Sequence, residues 1–295
     1  MADITVSVAM EQPSRWTMAI RRGGARLWLG SAIVALLIVV AVFAPWIAPH
    51  DPIEQDLLSA QLPPVWMHGG DATYLLGTDS LGRCVLSRLI YAARVAVVVG
   101  FVAALLAGAI GITLGLIAGS FGGWIDQATS RLIDVWMAFP PILLSIVLAA
   151  VIGAGLTSVI LAIVVVDWTR FARIIRAETA VQLQRDYAMA ARVIGLNRGQ
   201  ILRLEILPNL VPLVVTLLAV EMGVAILVEV ILSFVGISVA GDTPTWGGMI
   251  AEGRQIVYQS PWIMALAIGC VIVSVVGFNL LGDGLRAALD PVQRR

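Results

Sequence analysis

Few residues of this 295-residue chain can take part in chemistry, and two of them are carboxylates inside an apolar run. Glu221 and Glu229 lie eight residues apart in segment 208–234, which carries no other charge. Eight residues return a helix to nearly the same face. A charge at the centre of a bilayer costs about 2.5–3.5 kcal/mol on insertion scales, so both carboxylates must face protein or water. Two roles fit them: an ionised group that lines a translocation path or latches its gate, or a neutral carboxyl bonded to a neighbouring helix. Asp167 precedes Arg170 by three residues, a spacing that suits a local ion pair. Arg170, Arg173 and Arg176 suit inner-leaflet anchors. The only histidines, His50 and His68, fall in one hydrophilic stretch, where solvation explains them more simply than metal ligation. No Cys/His cluster has zinc spacing, so neither a metal site nor a catalytic residue is expected.

The second chemically suggestive pattern is polar. Residues 186–194 can form a short helix with Tyr187, Ala190, Ala191 and Ile194 as a small apolar stripe at i, i+3, i+4 and i+7. Gly195 then stands where a helix C′ glycine would. Asn197 followed by Gln200 has the form of a capping box that starts a second helix, and Pro208 marks re-entry into the apolar run. A solvated loop of this length has no use for an apolar stripe. Docking on a protein and lying on lipid both remain open from the residues alone, with a plain loop as the third reading.

The elements that must position these groups follow from composition. Hydrophobic residues make up 59% of the chain and charged residues 13%, against about 25% charged in an average soluble domain. Long uncharged stretches predict an all-α, polytopic integral membrane protein. Spans are expected at about 28–48, 95–119, 130–152, 156–176, 208–234 and 261–281, six in all. Pro140 and Pro141 should kink the third, and Gly153-Ala154-Gly155 should separate it from the fourth. Gly108, Gly111 and Gly115 would let another helix approach the second span closely, unless they reflect only the abundance of glycine in membrane helices. Residues 49–93, with Pro49, Pro52, Pro63 and Pro64, should be extended at first and helical near 78–94.

All 19 basic residues are arginines, so a P-loop, which needs its lysine, is excluded. Any ATP-driven work therefore falls to another chain, and this one is not expected to be an enzyme. The net charge is zero, which suggests no nucleic-acid partner. With the N-terminus inside, 15 arginines fall in cytoplasmic segments and four outside, namely Arg83, Arg88, Arg94 and Arg254. That bias predicts both termini in the cytoplasm. Trp66, Trp246 and Trp262 then fall near the outer interface, where tryptophans anchor. Cys84 and Cys270 fall at different depths and are expected as free thiols. The organisation reads as a cytoplasmic tail (1–26), a first span with an extracytoplasmic segment (27–94), a five-helix core with a cytoplasmic loop at 177–207 (95–291), and a short tail (292–295).

Several motifs in order carry a family resemblance. Asp186-Tyr187-Ala188-Met189-Ala190-Ala191, then Gly195, Leu196 and Asn197, then Leu207-Pro208-Asn209, resembles the EAA loop of binding-protein-dependent ABC importer permeases, with Met189 in place of the usual Glu. Leu76-Gly77-Thr78-Asp79-Ser80-Leu81-Gly82-Arg83 is similar to the extracytoplasmic signature of oligopeptide, dipeptide and nickel permeases, although Cys84 stands where Asp is usual. Leu232-Ser233-Phe234-Val235-Gly236 with Pro244-Thr245-Trp246-Gly247 is a further match, with Gly241-Asp242 where relatives often have prolines. Asn279-Leu280-Leu281-Gly282-Asp283, Leu285-Arg286 and Leu289-Asp290-Pro291 resemble the C-type subunit.

The resemblance implies a bacterial plasma-membrane permease subunit whose loop, through Asp186, Tyr187, Ala190, Ala191, Ile194, Gly195, Leu196, Asn197, Leu207 and Pro208, docks in a groove of an ATPase. It implies a homologous second permease, two ATPase subunits that bind ATP and Mg, an extracytoplasmic solute-binding protein and the lipid bilayer as partners. No cofactor is expected on this chain itself. Dipeptides or oligopeptides are the implied cargo, with nickel complexes, glutathione-like or opine-like compounds behind them. A proton-driven secondary transporter using Glu221 and Glu229 is the main rival, and it predicts inverted repeats with broken helices, of which no clear trace is visible. An intramembrane hydrolase based on histidine is excluded by the expected position of both histidines in the outer loop.

Overall fold

A computed structural model describes residues 15–239 and 243–289, with side chains from Gly24 onward. The first 14 residues of the expected tail, Gly241 and Asp242, and Asp290 with the C-terminal tail lie outside the described residues. Within them the chain is all-α, and its only β pairing is an isolated bridge between Thr78 and Cys84.

Helix α1 (Arg15–Val42) is broken at Gly24 and followed by a single turn, α2 (Ala44–Ile47). Helix α3 (Val85–Phe121) starts ten residues before the expected second span, because residues 85–94 join it without a break, whereas 78–84, expected to be helical, form a turn closed by the Thr78–Cys84 bridge. Helices α4 (Gly123–Met137) and α5 (Pro141–Ile152) meet at an 84° bend. The expected kink is thus a full break, since Pro140 and Pro141 cannot continue the backbone ladder. Helix α6 (Leu156–Gln182) follows the Gly153–Gly155 break. The polar loop forms α7 (Asp186–Val193) and α8 (Arg198–Ile201). A π turn (Leu202–Ile206) then joins α8 to α9 (Leu207–Val235). Helices α10 (Trp246–Gln255) and α11 (Pro261–Leu289) complete the chain.

Among the described residues four helices are long and apolar enough to cross a membrane: Gly24–Val42, Val85–Phe121, Arg198–Val235 and Pro261–Leu289. The bent pair α4–α5 makes a fifth if it counts as one span. Helix α6 is not among them, its apolar part being interrupted by Asp167, Arg170 and Arg173.

Glycines set the closest approaches. A Cβ on Gly111 would lie 2.3 Å from the Trp168 carbonyl oxygen, and one on Gly115 2.8 Å from that of Ala172. The glycines of α3 therefore seat α6 backbone against backbone, and the two helices run parallel. Gly30, Gly277 and Gly284 do the same between α1 and α11, which run antiparallel. The main core lies where α3, α9, α10 and α11 meet, around Val85, Ala96, Ile226, Trp246, Met249 and Phe278. The starts of α3 and α6 and the end of α9 share one end of the bundle. Helices α7 and α8 occupy the other, together with the Leu27–Gly284 contact between α1 and α11.

Candidate functional site

The α7–α8 pair is built from local rules. Asp186 in the first turn and Arg192 in the last complement the helix dipole. Leu196 N–H donates to the Ala191 carbonyl and Gly195 N–H to that of Arg192, both at 3.1 Å. This double closure is a Schellman motif, and it puts Gly195 at φ 91°, where glycine carries no Cβ penalty. The expected capping box is present in full: Asn197 Oδ1 accepts from Gln200 N–H, and Gln200 Oε1 accepts from Asn197 N–H, each at 2.9 Å. Beyond it, α8 does not stop at a loop before Pro208. It passes through the π turn into α9 as one rod.

The apolar stripe divides in a way its spacing did not give. Ala188 and Ala191 are buried against Ile175, Ile201, Ile206 and Leu210, with Tyr187 and Leu196 partly buried beside them. Ala190 and Ile194 turn outward with Met189 and Val193, Ile194 being 77% and Val193 87% exposed. Met189 and Val193 were absent from the expected set, yet they complete an outward apolar face. Tyr187 fixes the helix to its neighbour. Its hydroxyl donates to Gln182 Oε1, and Gln182 Nε2 donates to Glu178 Oε1 at 2.7 Å. Burial pushes the Tyr187 phenol above its ordinary pKa.

The arginines of α6 do not behave as lipid anchors. Arg170 Nη1 lies 2.9 and 3.2 Å from the two carboxylate oxygens of Glu221. Arg173 donates to Asp134 at 2.7 Å, and Arg176 grips both oxygens of Asp126, one of them at 2.9 Å. Helix α6 is thus stitched to α9 once and to α4 twice. Trp136 adds an N–H bond to the Val165 carbonyl, 2.7 Å. Among the described residues no ion pair joins Asp167 to Arg170, so the expected i, i+3 pair gives way to the longer-range one.

Glu221 is 3% exposed and is the midpoint of α9, about 21 Å from either end at 1.5 Å per residue. The Arg170 side chain opposite it is 38% exposed. Glu229 does not share the face of Glu221, contrary to the expectation: eight residues advance a helix by about 80° past two whole turns, enough to give it a different neighbour. It is fully enclosed and accepts from Ser233 Oγ at 2.5 Å and Ser238 Oγ at 3.4 Å. The Ser238 carbonyl in turn accepts from Gly155 N–H at 3.0 Å, tying the α5–α6 break to the end of α9.

At the opposite end from α7, a charged cluster went unforeseen. Asp79 accepts from the N–H groups of Leu81 (2.9 Å) and Arg83 (3.0 Å) and pairs with Arg83 Nε (2.7 Å) and with Arg88. Glu252 on α10 accepts from Arg88 at 2.6 and 3.0 Å and from Arg83 at 3.0 Å. The only sequence signal was the 76–83 motif itself. Trp246, expected as an interfacial anchor, is buried and donates to the Leu89 carbonyl at 3.2 Å. Cys84 and Cys270 are both free thiols, and Cys84 is buried. Among the described residues no group of three His, Cys, Asp or Glu side chains is placed to hold a metal ion.

Comparison with known proteins gives consistent matches. The family described as binding-protein-dependent transport system inner membrane component matches residues 111–295, and the N-terminal TM domain of oligopeptide transport permease C matches residues 26–64. The chain is 39% identical, over 99% of both sequences, to the dipeptide transport system permease protein DppC of Haemophilus influenzae. It is also 39% identical to the di/tripeptide transport system permease protein DppC of Pseudomonas aeruginosa, over 89% of this chain and 87% of that one. The glutathione transport system permease protein GsiD of Shigella dysenteriae matches at 39% over 88% of this chain and 84% of its own length.

Proposed function

Because this chain belongs to the family of binding-protein-dependent transport system inner membrane components, we propose that it forms half of a peptide path driven by ATPase subunits docked on α7. It is a multi-pass inner-membrane permease subunit of a bacterial ABC transporter. Dipeptides and similarly short peptides are the cargo its relatives' names favour, and glutathione, itself a short peptide, falls within that class. A second permease, a solute-binding protein and ATP with Mg on the ATPase subunits complete the assembly. Six crossings with both termini cytoplasmic fit the helix directions, with α4–α5 as one bent span and α6 as the arginine-bearing one. Cytoplasmic tails, a first span and a five-helix core remain the division of the chain.

The observation that carries this reading is the outward apolar face of α7, formed by Met189, Ala190, Val193 and Ile194 on a helix fixed between α6 and α9. A face so apolar at the aqueous end of a membrane bundle needs a partner. Gly195, Asn197 and the run through Leu207 and Pro208 hold that face at a fixed angle to the crossing helices. Nucleotide-driven motion of the ATPases is thereby passed to α6 and α9 together.

Between those two helices the Arg170–Glu221 pair is the inner latch of the path. An arginine near mid-bilayer with a half-exposed side chain must face water or protein, since lipid would exclude it. Glu229, enclosed by Ser233 and Ser238, holds the outer end of α9 instead.

The test is Val193→Glu in the reconstituted importer. Val193 makes little contact within the chain, so insertion and folding are retained, while ATPase recruitment and peptide uptake are expected to fall together. Full uptake in this variant would refute docking through α7.

A further inference from the structure

Arg192 and Arg198 stand apart from the arginines of α6 and of the outer cluster. Each of those has a carboxylate within 3.2 Å, whereas neither Arg192 nor Arg198 has one within 4.0 Å among the described residues. Both line one cleft of about 200 Å³, together with Ser120 at the end of α3 and the apolar side chains of Leu183, Leu196, Ile201 and Leu202. Arg192 is steadied there by a bond from Nη2 to the Leu183 carbonyl, 3.4 Å. The cleft therefore has an apolar floor and two cationic groups whose counter-charge is not supplied by the described residues.

Its level in the membrane is marked by its neighbours. Phe121 and Trp124, one and four residues beyond Ser120, are exposed large aromatics at the end of α3 and the start of α4. Aromatic side chains in that position sit among lipid headgroups. Guanidinium groups match phosphate oxygens in geometry as well as charge, and basic pockets between helices on the cytoplasmic side are suited to anionic headgroups.

We propose that the Arg192–Arg198 cleft is a phosphate-binding site that takes the headgroup of an anionic phospholipid, with its chains directed along the apolar floor. The site lies between the end of α3 and the α7–α8 pair. An occupied cleft would fix the docking helix against the membrane surface, so anionic lipid would tune how firmly the ATPases engage.

Native mass spectrometry of the importer purified in detergent tests this, with phosphatidylglycerol or phosphatidylcholine added and with inorganic phosphate as a separate competitor. Wild type is expected to retain phosphatidylglycerol in preference to phosphatidylcholine. R192Q/R198Q should bind it about thirtyfold more weakly, a five- to sixfold loss per arginine. The control R185Q/R203Q removes two exposed charges from the same end without touching the cleft, and should bind as wild type does. Displacement by inorganic phosphate at millimolar concentration would identify free phosphate as the ligand of the same two arginines, and resistance to it would identify the lipid. Equal retention by wild type and R192Q/R198Q, or equal loss in the R185Q/R203Q control, would overturn the site.

Discussion

The guanidinium of Arg170 on α6 meets both carboxylate oxygens of Glu221 on α9, pairing a half-exposed cation with an enclosed anion at the middle of the helices. Removing one member of such a pair leaves an uncompensated charge, which costs about 3–5 kcal/mol where the site is fully buried and less here, where Arg170 is partly exposed. Glu221→Gln is therefore expected to insert normally and to lower ATP-driven uptake or raise futile ATP hydrolysis. R170Q/E221Q should recover part of that loss, giving a coupling energy of about 1–2 kcal/mol in a double-mutant cycle. Uptake with ATP held constant should persist when an ionophore collapses the proton gradient. Abolished uptake in that assay would instead favour a proton-driven transporter.

The outer cluster makes a stability prediction. Asp79 is buried and accepts from two backbone N–H groups and two arginines. Asp79→Asn removes the charge that both arginines need and is expected to destabilise by about 3–5 kcal/mol. Glu252→Gln should cost less, because the Glu252 side chain is 38% exposed and water can replace part of what is lost. Thermal unfolding in detergent ranks the two. The reverse order would mean that α10, and not the 76–83 turn, is the cluster's support.

Gly195 separates backbone strain from steric crowding. A Cβ there would meet nothing within 4 Å, yet φ is 91°. Gly195→Asn should cost less than Gly195→Val, because asparagine tolerates left-handed backbone and a β-branched side chain does not. The difference should appear in pull-down of the ATPase subunits, with membrane insertion unchanged. Equal behaviour of the two variants would point to a requirement other than the turn.

Gly111 and Gly269 offer a matched pair. A Cβ at Gly111 would sit 2.3 Å from the Trp168 backbone, whereas one at Gly269 would have nothing within 4 Å. Gly111→Ala is expected to lower stability by about 1–3 kcal/mol, as overpacking does. Gly269→Ala should stay within about 0.5 kcal/mol of wild type. Folded yield after detergent extraction distinguishes them.

What the sequence made legible was local. The Asn197–Gln200 cap, the Gly195 turn and the break at Pro140 each depend on residues a few positions apart, and each formed as expected, the last more sharply. The charged pairs did not, because residues 170 and 221, or 88 and 252, have no spacing that announces a contact. The lost Asp167–Arg170 pair shows why a local rule can fail. An i, i+3 pair is worth only a few tenths of a kcal/mol, and Asp167 at 6% exposure is almost as enclosed as Glu221 at 3%, so local spacing does not decide which buried carboxylate the guanidinium meets. The division of the α7 stripe has a similar cause. Periodicity identifies faces of a helix, but the neighbouring Ile175, Ile206 and Leu210 decide which face turns inward.

The uninterrupted run from Arg198 through the π turn to Val235 has a mechanical consequence. Its 38 residues make a continuous arm about 57 Å long, with its foot beside α7 and its tip at Gly236. A tilt of about 5° at the foot would swing the tip sideways by about 5 Å over such a length, a distance comparable to the width of a peptide backbone. The wider π turn near the foot is the more compliant joint. Small angular changes imposed from the cytoplasm can thus become ångström-scale opening at the far mouth without any helix having to melt.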